Sequence, residues 1–313
     1  MHSKVDDNGM SIIVPSIGRE SLEKLLVSIH LDKTLNRHEI VIVSSVKISA
    51  DLKIKYNKYK CIKFVEQNHK NISKSRNIGI QLSSFSIISL IDDDDLWVNG
   101  RANLFYNALR GGSCTVIFGS SNFYSGSLNK KTKRGKEQVI DFASFIQQFN
   151  PKIFSKQKYF LQVGNCAFKR NEKIPEFNEE LSYLEDQIWI LELLQNDFIV
   201  KQIAESTLDY FFSRERSNNR WNIGTEKAIY RYILNIDSVT ARKYIYKRSL
   251  KSLAISPNRG SYINAKIEIE KTFKADNRDK ISILLLSCLN NIIFTLSILH
   301  IQSVNFLYSI KWR

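Results

Sequence analysis

From residue 10 the chain alternates short, mostly apolar runs with amphipathic ones. "MSIIV" (10–14) ends at Pro15 and gives way to "GRESLEKLLVSI", where Leu22, Leu25, Leu26 and Ile29 recur at helical spacing. "EIVIV" (39–43) and "CIKFVE" (61–66) read as the second and third strands, "NISKSRNIGIQL" (71–82) as a helix, and "FSIISLI" (85–91) as a fourth strand. Strands rich in Ile and Val with helices between them predict a parallel sheet covered on both faces. In such sheets the ligand crevice lies beyond the carboxyl ends of the strands. The fourth strand ends there on Asp92, Asp93, Asp94 and Asp95, followed by Trp97.

Farther along, "TVIFGSSNFY" has strand character, residues 125–137 ("SGSLNKKTKRGKE") form a polar, basic loop or hairpin tip, and "VIDFASFIQQF" is amphipathic. "YFLQVGNCAFKR" is a further strand region. From Phe177 "FNEELSYLEDQIWILELLQ" predicts a helix with Leu184, Ile188, Leu191 and Leu194 on its apolar face. "FIVKQIAESTLDYFFSRERS" reads as two short strands and a basic stretch, and the remainder as helical. Residues 281–310 carry no acidic or basic side chain except His300. That length spans a bilayer, but Asn290, Asn291, Gln302 and several serines suit an interfacial or core helix pair as well. Core packing, a face lying on a membrane and a true span all stay open.

At 313 residues, 43% hydrophobic and 25% charged, the chain suits one large domain, or a main domain with an appendage, and excludes a disordered chain. Cys61, Cys114, Cys166 and Cys288 show no CxxC spacing and no histidine partner at zinc-like distance, which points to a reducing compartment. The first residues carry acids where a signal peptide needs basic ones, so a cytoplasmic location is expected. A formal net charge of +15 attracts a polyanion, whether nucleic acid, an anionic membrane face or a phosphorylated substrate.

Four adjacent carboxylates repel one another unless a cation or proton intervenes, and hard ions such as Mg²⁺ or Mn²⁺ favour oxygen ligands. Mg²⁺ takes one or two carboxylates and leaves its other positions to water and phosphates, which suits a nucleoside diphosphate site. The plainer reading is a solvated acidic turn capping the helix at "GRANLFYNAL". "YLEDQIW" places Glu185 and Asp186 at a second acidic position, where a helix N-terminus by itself also favours acids.

"SIIVPSIGRESLEKLLVSI", "EIVIVSS", "NISKSRNIGIQLSSFSIISLIDDDDLW", "GNCAFKR" and "FNEELSYLEDQIWILELL" follow one another in the order, and at about the separations, of family 2 glycosyltransferases of the GT-A fold. The resemblance covers roughly residues 10–205. It implies an α/β fold of GT-A type: a Rossmann-like mixed sheet flanked by helices over residues 1–215, with a helical C-terminal extension at 216–313. Residues 10–110 would form the nucleotide-sugar-binding half and 111–215 the acceptor half. The implied reaction is inverting, metal-dependent transfer of one sugar from a nucleotide-sugar donor to a hydroxyl of a lipid-linked or polysaccharide acceptor, as in capsule or lipopolysaccharide assembly.

Position by position, Asp92 and Asp94 resemble the family's DxD element. Asp94, with Asp92, would hold Mg²⁺ or Mn²⁺, and Asp92 and Asp93 would approach ribose and diphosphate. Glu185 and Asp186 resemble the ED pair, with Asp186 as general base and Glu185 supporting it. Pro15, Ser16 and Gly18 match the segment that cradles the base, Arg76 an arginine at the base or diphosphate, and Asn165 and Trp189 are candidates near the acceptor, although Trp189 suits a core position at least as well. Ser44 and Ser45 stand where relatives show acids that touch the base; a serine can still bond a base but offers no charged acceptor to an imide, which puts uridine in doubt, and a UDP-sugar stays the first expectation with the base open. "SRERSNNRW", with Arg214, Arg216 and Arg220, is only a faint likeness to the QxxRW signature of processive members, which favours single-sugar transfer. Charge and the apolar C-terminal segment agree with peripheral placement on the inner face of the cell membrane. A nucleic-acid-binding protein and a nucleotidyltransferase using the same acids are the alternatives; dispersed lysines speak against the first, and the absence of a basic Gly-rich activating loop against the second.

Overall fold

β1 (Asp6–Ser16), β2 (His38–Ser44), β3 (Ile62–Glu66) and β4 (Phe85–Leu90) are laid side by side in parallel, in the order β3-β2-β1-β4. This is a computed structural model, and it describes residues 6–56, 58–112, 114–125, 130–146, 160–171, 173–181 and 184–212. α1 (Ser21–His30), α2 (Ala50–Tyr56) and α3 (Ile72–Gln81) connect the four strands. β1 is a central strand because Ile12, Ile13 and Val14 are all fully buried, and β2 likewise through Ile40, Val41, Ile42 and Val43. The four apolar positions of α1 are buried as the periodicity predicts; each such side chain is worth about 1.5–3 kcal/mol over leaving it in water.

α3 is built differently. Asn71 caps it, its side chain accepting from Lys74 N at 3.0 Å, and its buried face consists of Ser73, Ser75, Arg76 and Gly79. A methyl group at Gly79 would collide with Ile13 Cγ2 and press on Val43. The helix therefore lies close against β1 and β2.

Beyond β4 the sheet ceases to be parallel. β5 (Leu96–Trp97), α4 (Arg101–Arg110), β6 (Val116–Ser125), β7 (Lys130–Arg134), β8 (Gln138–Val139), α5 (Phe142–Ile146), β9 (Cys166–Lys169), α6 (Glu185–Gln195) and β10 (Val200–Phe212) complete the described elements. The path runs β4-β9-β6-β10-β5, with β9 antiparallel to both its neighbours and β10 parallel to β6. Among the described residues ten strands thus form one mixed sheet, as the GT-A resemblance implies, with the parallel sheet read from the first four strands as its first half.

Other departures have local causes. The basic segment expected as a loop or hairpin tip contributes β7, which pairs antiparallel with β6, and residues 126–129 lie outside the described residues. The two short strands expected after residue 197 are one long β10, whose register slips between Gln202 and Ser206 and again before Leu208. α6 starts only at Glu185: Asn178 turns its side chain onto Glu180 N at 2.9 Å, a local bond that competes with helix, and Leu184 adopts φ 59 instead of joining the apolar face. Ile188, Leu191 and Leu194 are buried as expected. The boundary at 215, the extension 216–313 with its apolar stretch, and Arg214, Arg216 and Arg220 lie outside the described residues. No helix among the described residues is long and apolar enough to cross a membrane.

Candidate active site

Strand order 3-2-1-4 reverses direction between β1 and β4, which makes the carboxyl ends of these two strands a topological switch point. The chain leaves β1 at Ser16 and β4 just before the aspartates. Asp93, 1% exposed, ties the two ends together: it accepts from Ser16 Oγ at 2.7 Å and from Ile17 N at 3.1 Å. Ser45 N donates to Ser16 O at 2.9 Å and draws in the end of β2. Gly18, at φ +77, turns the chain back so that Arg19 reaches the aspartates, pairing with Asp93 and, at 3.2 Å, with Asp94.

The acidic turn alternates. Asp92 and Asp94 are partly exposed while Asp93 and Asp95 are buried, at 1% and 2%. Arg101 lies beneath, fully buried, its Nη2 donating to Leu90 O at 2.7 Å, Ser89 Oγ at 3.2 Å and Gly164 O at 3.4 Å. Its guanidinium carbon stands 4.4 Å from the Trp97 ring centre and 5.0 Å from that of Phe105. Burial pulls its pKa down to about 9, which leaves it cationic at neutral pH under the turn. The turn does not cap α4, contrary to the plainer expectation: Asp32 accepts from Gly100 N at 3.0 Å and Ala102 N at 3.3 Å, and takes the Trp97 indole N–H at 2.7 Å. Trp97 is core.

Arg76 joins the two acidic motifs. Only 3% exposed, it donates from Nη2 to Asp92 Oδ1 and from Nη1 to Glu185 Oε1, each at 3.1 Å. Phe177 backs it at 5.3 Å. Burial would lower the Arg76 pKa, but Asp92, Glu185 and Asp186 together raise it, so its charge is fixed. Next to this pair Asp186 is half-buried and accepts from Gln187 N at 2.7 Å. Burial first, and the Glu185 carboxylate second, push the Asp186 carboxyl up to about 6, against the pull of Arg76. Asp92, Glu185 and Asp186 thus share one cationic neighbour.

Other expected site residues are placed elsewhere. Asn165 is fully buried and fully used: Nδ2 donates to Ser120 O and Ser121 Oγ, each at 3.1 Å, and Oδ1 accepts from Thr207 Oγ1 at 2.6 Å. Trp189 is 1% exposed, stacked on Phe177 at 4.7 Å, with its indole N–H on Pro175 O at 2.8 Å. Neither presents a face to a ligand in this arrangement. Ser44 is buried and bonds Val46 O at 2.8 Å, leaving Ser45 as the half-buried serine of the two. Pro15 is buried within β1, while Gly18 is exposed. Asp93, expected near ribose and diphosphate, is committed to Ser16, Ile17 and Arg19. Arg19 and Arg101 were not foreseen; the only visible signal for Arg19 was a cation one residue past a glycine at a strand's carboxyl end.

Among the described residues no three His, Cys, Asp or Glu side chains converge on one point. A cation bound chiefly to a diphosphate needs only one or two carboxylates, and the partly exposed Asp92 and Asp94 meet that requirement.

Residues 11–176, more than half of the chain, match the profile described as glycosyl transferase family 2. The chain belongs to that family. It is therefore a glycosyltransferase, and its mixed sheet with flanking helices is the GT-A fold. Two solved structures are similar over 84% of this chain: S. aureus TarS 1-349 in complex with UDP-GlcNAc, at 15% identity, TM-score 0.61 and 81% of that chain, and S. aureus TarS 1-349, at 14% identity, TM-score 0.58 and 80% of that chain. At such identity the likeness speaks for fold alone. No curated protein matches the glycosyltransferase in sequence.

Proposed function

We propose that this glycosyltransferase moves one sugar, with inversion, from a nucleotide-sugar donor to an acceptor hydroxyl, the donor diphosphate lying over the 92–95 turn and the hydroxyl beside Asp186. The observation that carries the reading is Arg76, held between Asp92 and Glu185 at 3.1 Å on each side. It links Asp92 of the acidic turn to Glu185, the neighbour of the candidate base, which supports reading the two motifs as one site.

In this reading Ser16, Gly18 and Ser45 line the nucleoside side of the switch point, with Ser44 and Asp93 setting the backbone behind them. Asp94, assisted by Asp92, holds Mg²⁺ or Mn²⁺, which supplies charge stabilisation for the departing diphosphate. Asp186 takes the proton of the attacking hydroxyl. With its carboxyl raised to about 6 it is largely ionised at neutral pH yet basic enough to accept that proton. Glu185 supports it by fixing Arg76, which in turn keeps Asp186 from rising further. The TarS complex with UDP-GlcNAc makes a UDP-sugar the first donor to try, and a lipid-linked or polysaccharide acceptor at an anionic membrane face agrees with the +15 charge.

The test is hydrolysis and transfer with a panel of UDP-, GDP-, CDP- and TDP-sugars, with and without a chelator. Turnover of one donor class, lost on chelation and restored by Mn²⁺ or Mg²⁺, is the expected result. Turnover that ignores the chelator would remove the metal from the scheme.

A further inference from the structure

Arg19 occupies an unusual place: a protein cation rests on the same carboxylate, Asp94, that a divalent ion would use. Both of its contacts, to Asp93 and to Asp94, run through the single nitrogen Nη1. Nε and Nη2 make no hydrogen bond among the described residues, so most of the planar donor fork of the guanidinium is unspent. The side chain is 30% exposed, unlike Arg76 and Arg101, which are 3% and 0% exposed. It sits on the short connection after β1, beside the exposed Ile17 and the left-handed Gly18.

The two carboxylates depend on Arg19 unequally. Asp93 keeps Ser16 Oγ and Ile17 N whether or not Arg19 is present. The Asp94 contact, at 3.2 Å, is the one that can be given up. Arginine forks suit phosphate oxygens, and a guanidinium anchored on Asp93 with its other donors free can turn toward a diphosphate without leaving its anchor.

Building on the donor-site reading above, we propose that Arg19 is an exchangeable counter-ion of the donor site: without donor it pairs with Asp94, and with donor it transfers to the diphosphate oxygens and no longer competes with the divalent ion for Asp94. Two consequences follow from competition for one carboxylate. Arg19 weakens metal binding to the donor-free protein, and a nucleoside diphosphate strengthens metal binding beyond what its own oxygens supply, a reciprocal coupling. The site then fills with metal and donor together.

The experiment measures Mn²⁺ binding by the paramagnetic resonance signal of free Mn²⁺, on the full chain, alone and with saturating UDP, GDP or inorganic pyrophosphate. Arg19→Gln should tighten Mn²⁺ binding without nucleotide by about fivefold and cut the enhancement produced by the diphosphate by a similar factor, the low end of ordinary coupling between sites. Arg19→Lys, which keeps the charge but loses the fork, should keep the weak metal binding of the wild type and recover only part of the enhancement. Melting curves of both variants identify any that do not fold, and Arg19→Lys then carries the comparison. If the wild type shows diphosphate-enhanced Mn²⁺ binding and Arg19→Gln changes neither term, or weakens both, the exchange is wrong while the donor site stands. If the wild type shows no enhancement with any of the three ligands, the donor-site reading fails and the exchange with it.

Discussion

The two acidic motifs that Arg76 joins are both carboxylate-rich and live in opposite environments. At the 92–95 turn, each carboxylate that faces outward has a guanidinium beside it: Arg76 for Asp92 and Arg19 for Asp94, with Arg101 buried below. At the start of α6 the one cation paired among the described residues, Arg76, is bonded to Glu185, and Asp186 is half-buried, accepting from Gln187 N, with a raised pKa. Cations on every side suit a turn that holds charge through a reaction cycle. One cation at a remove suits a carboxyl that picks up and releases a proton near neutral pH.

The largest test of this contrast is Asp186→Asn. Transfer should fall about 10²–10⁴-fold, the usual worth of a general base, while Mn²⁺–diphosphate binding stays near the wild-type value. Stability supplies an independent sign. A carboxyl raised from 3.8 to about 6 favours the fold below pH 4 and loses that contribution as the pH rises through about 6. Asp186→Asn should therefore melt higher than the wild type above pH 6 and show no such gain below pH 4. Equal melting at both ends would mean that Asp186 titrates normally.

Next in size come two variants with opposite signs. Wild-type turnover should rise with pH through about 6 as Asp186 ionises. Arg76→Gln removes the cation that holds the carboxyl down, so the acid limb of the pH profile should move up by about one unit, with a loss of donor affinity because Asp92 is released as well. Glu185→Gln removes the like charge and should move the same limb down. Two limbs moving in the same direction would break the proposed division of labour. The smallest effect is expected at Trp189→Phe. It forfeits the bond to Pro175 O and about 1 kcal/mol of stability, while turnover should stay within about twofold of wild type, since Trp189 is buried against Phe177.

How far these residues could be read from the chain follows from the range of the interactions. β1, β2 and β4 were legible because a strand buried on both faces has to be Ile- and Val-rich, and the aspartates were visible because a charged run directly after such a strand can only lie at its end. The second half was harder. β10 looked like two strands because a register slip interrupts its alternation without ending it. Asn178 and Leu184 delayed α6 through a local turn that apolar spacing does not register. Within the site, the identities of the acids were evident and their partners were not: Arg19 meets Asp93 across 74 positions and Arg76 meets Glu185 across 109. Asn165 and Trp189 illustrate the converse. Both have the chemistry of ligand contacts, and both spend it on the protein's own backbone and side chains, which only the folded neighbourhood reveals.

The absent side chain at Gly79 has a consequence for where Arg76 stands. With no Cβ of its own, α3 rests at Gly79 directly on the Ile13 and Val43 side chains, so the position of Arg76, three residues earlier on the same helix, depends on how those two side chains pack. A larger residue at position 79, or at Ile13 beneath it, would lift the helix and with it the contacts of Arg76 to Asp92 and Glu185.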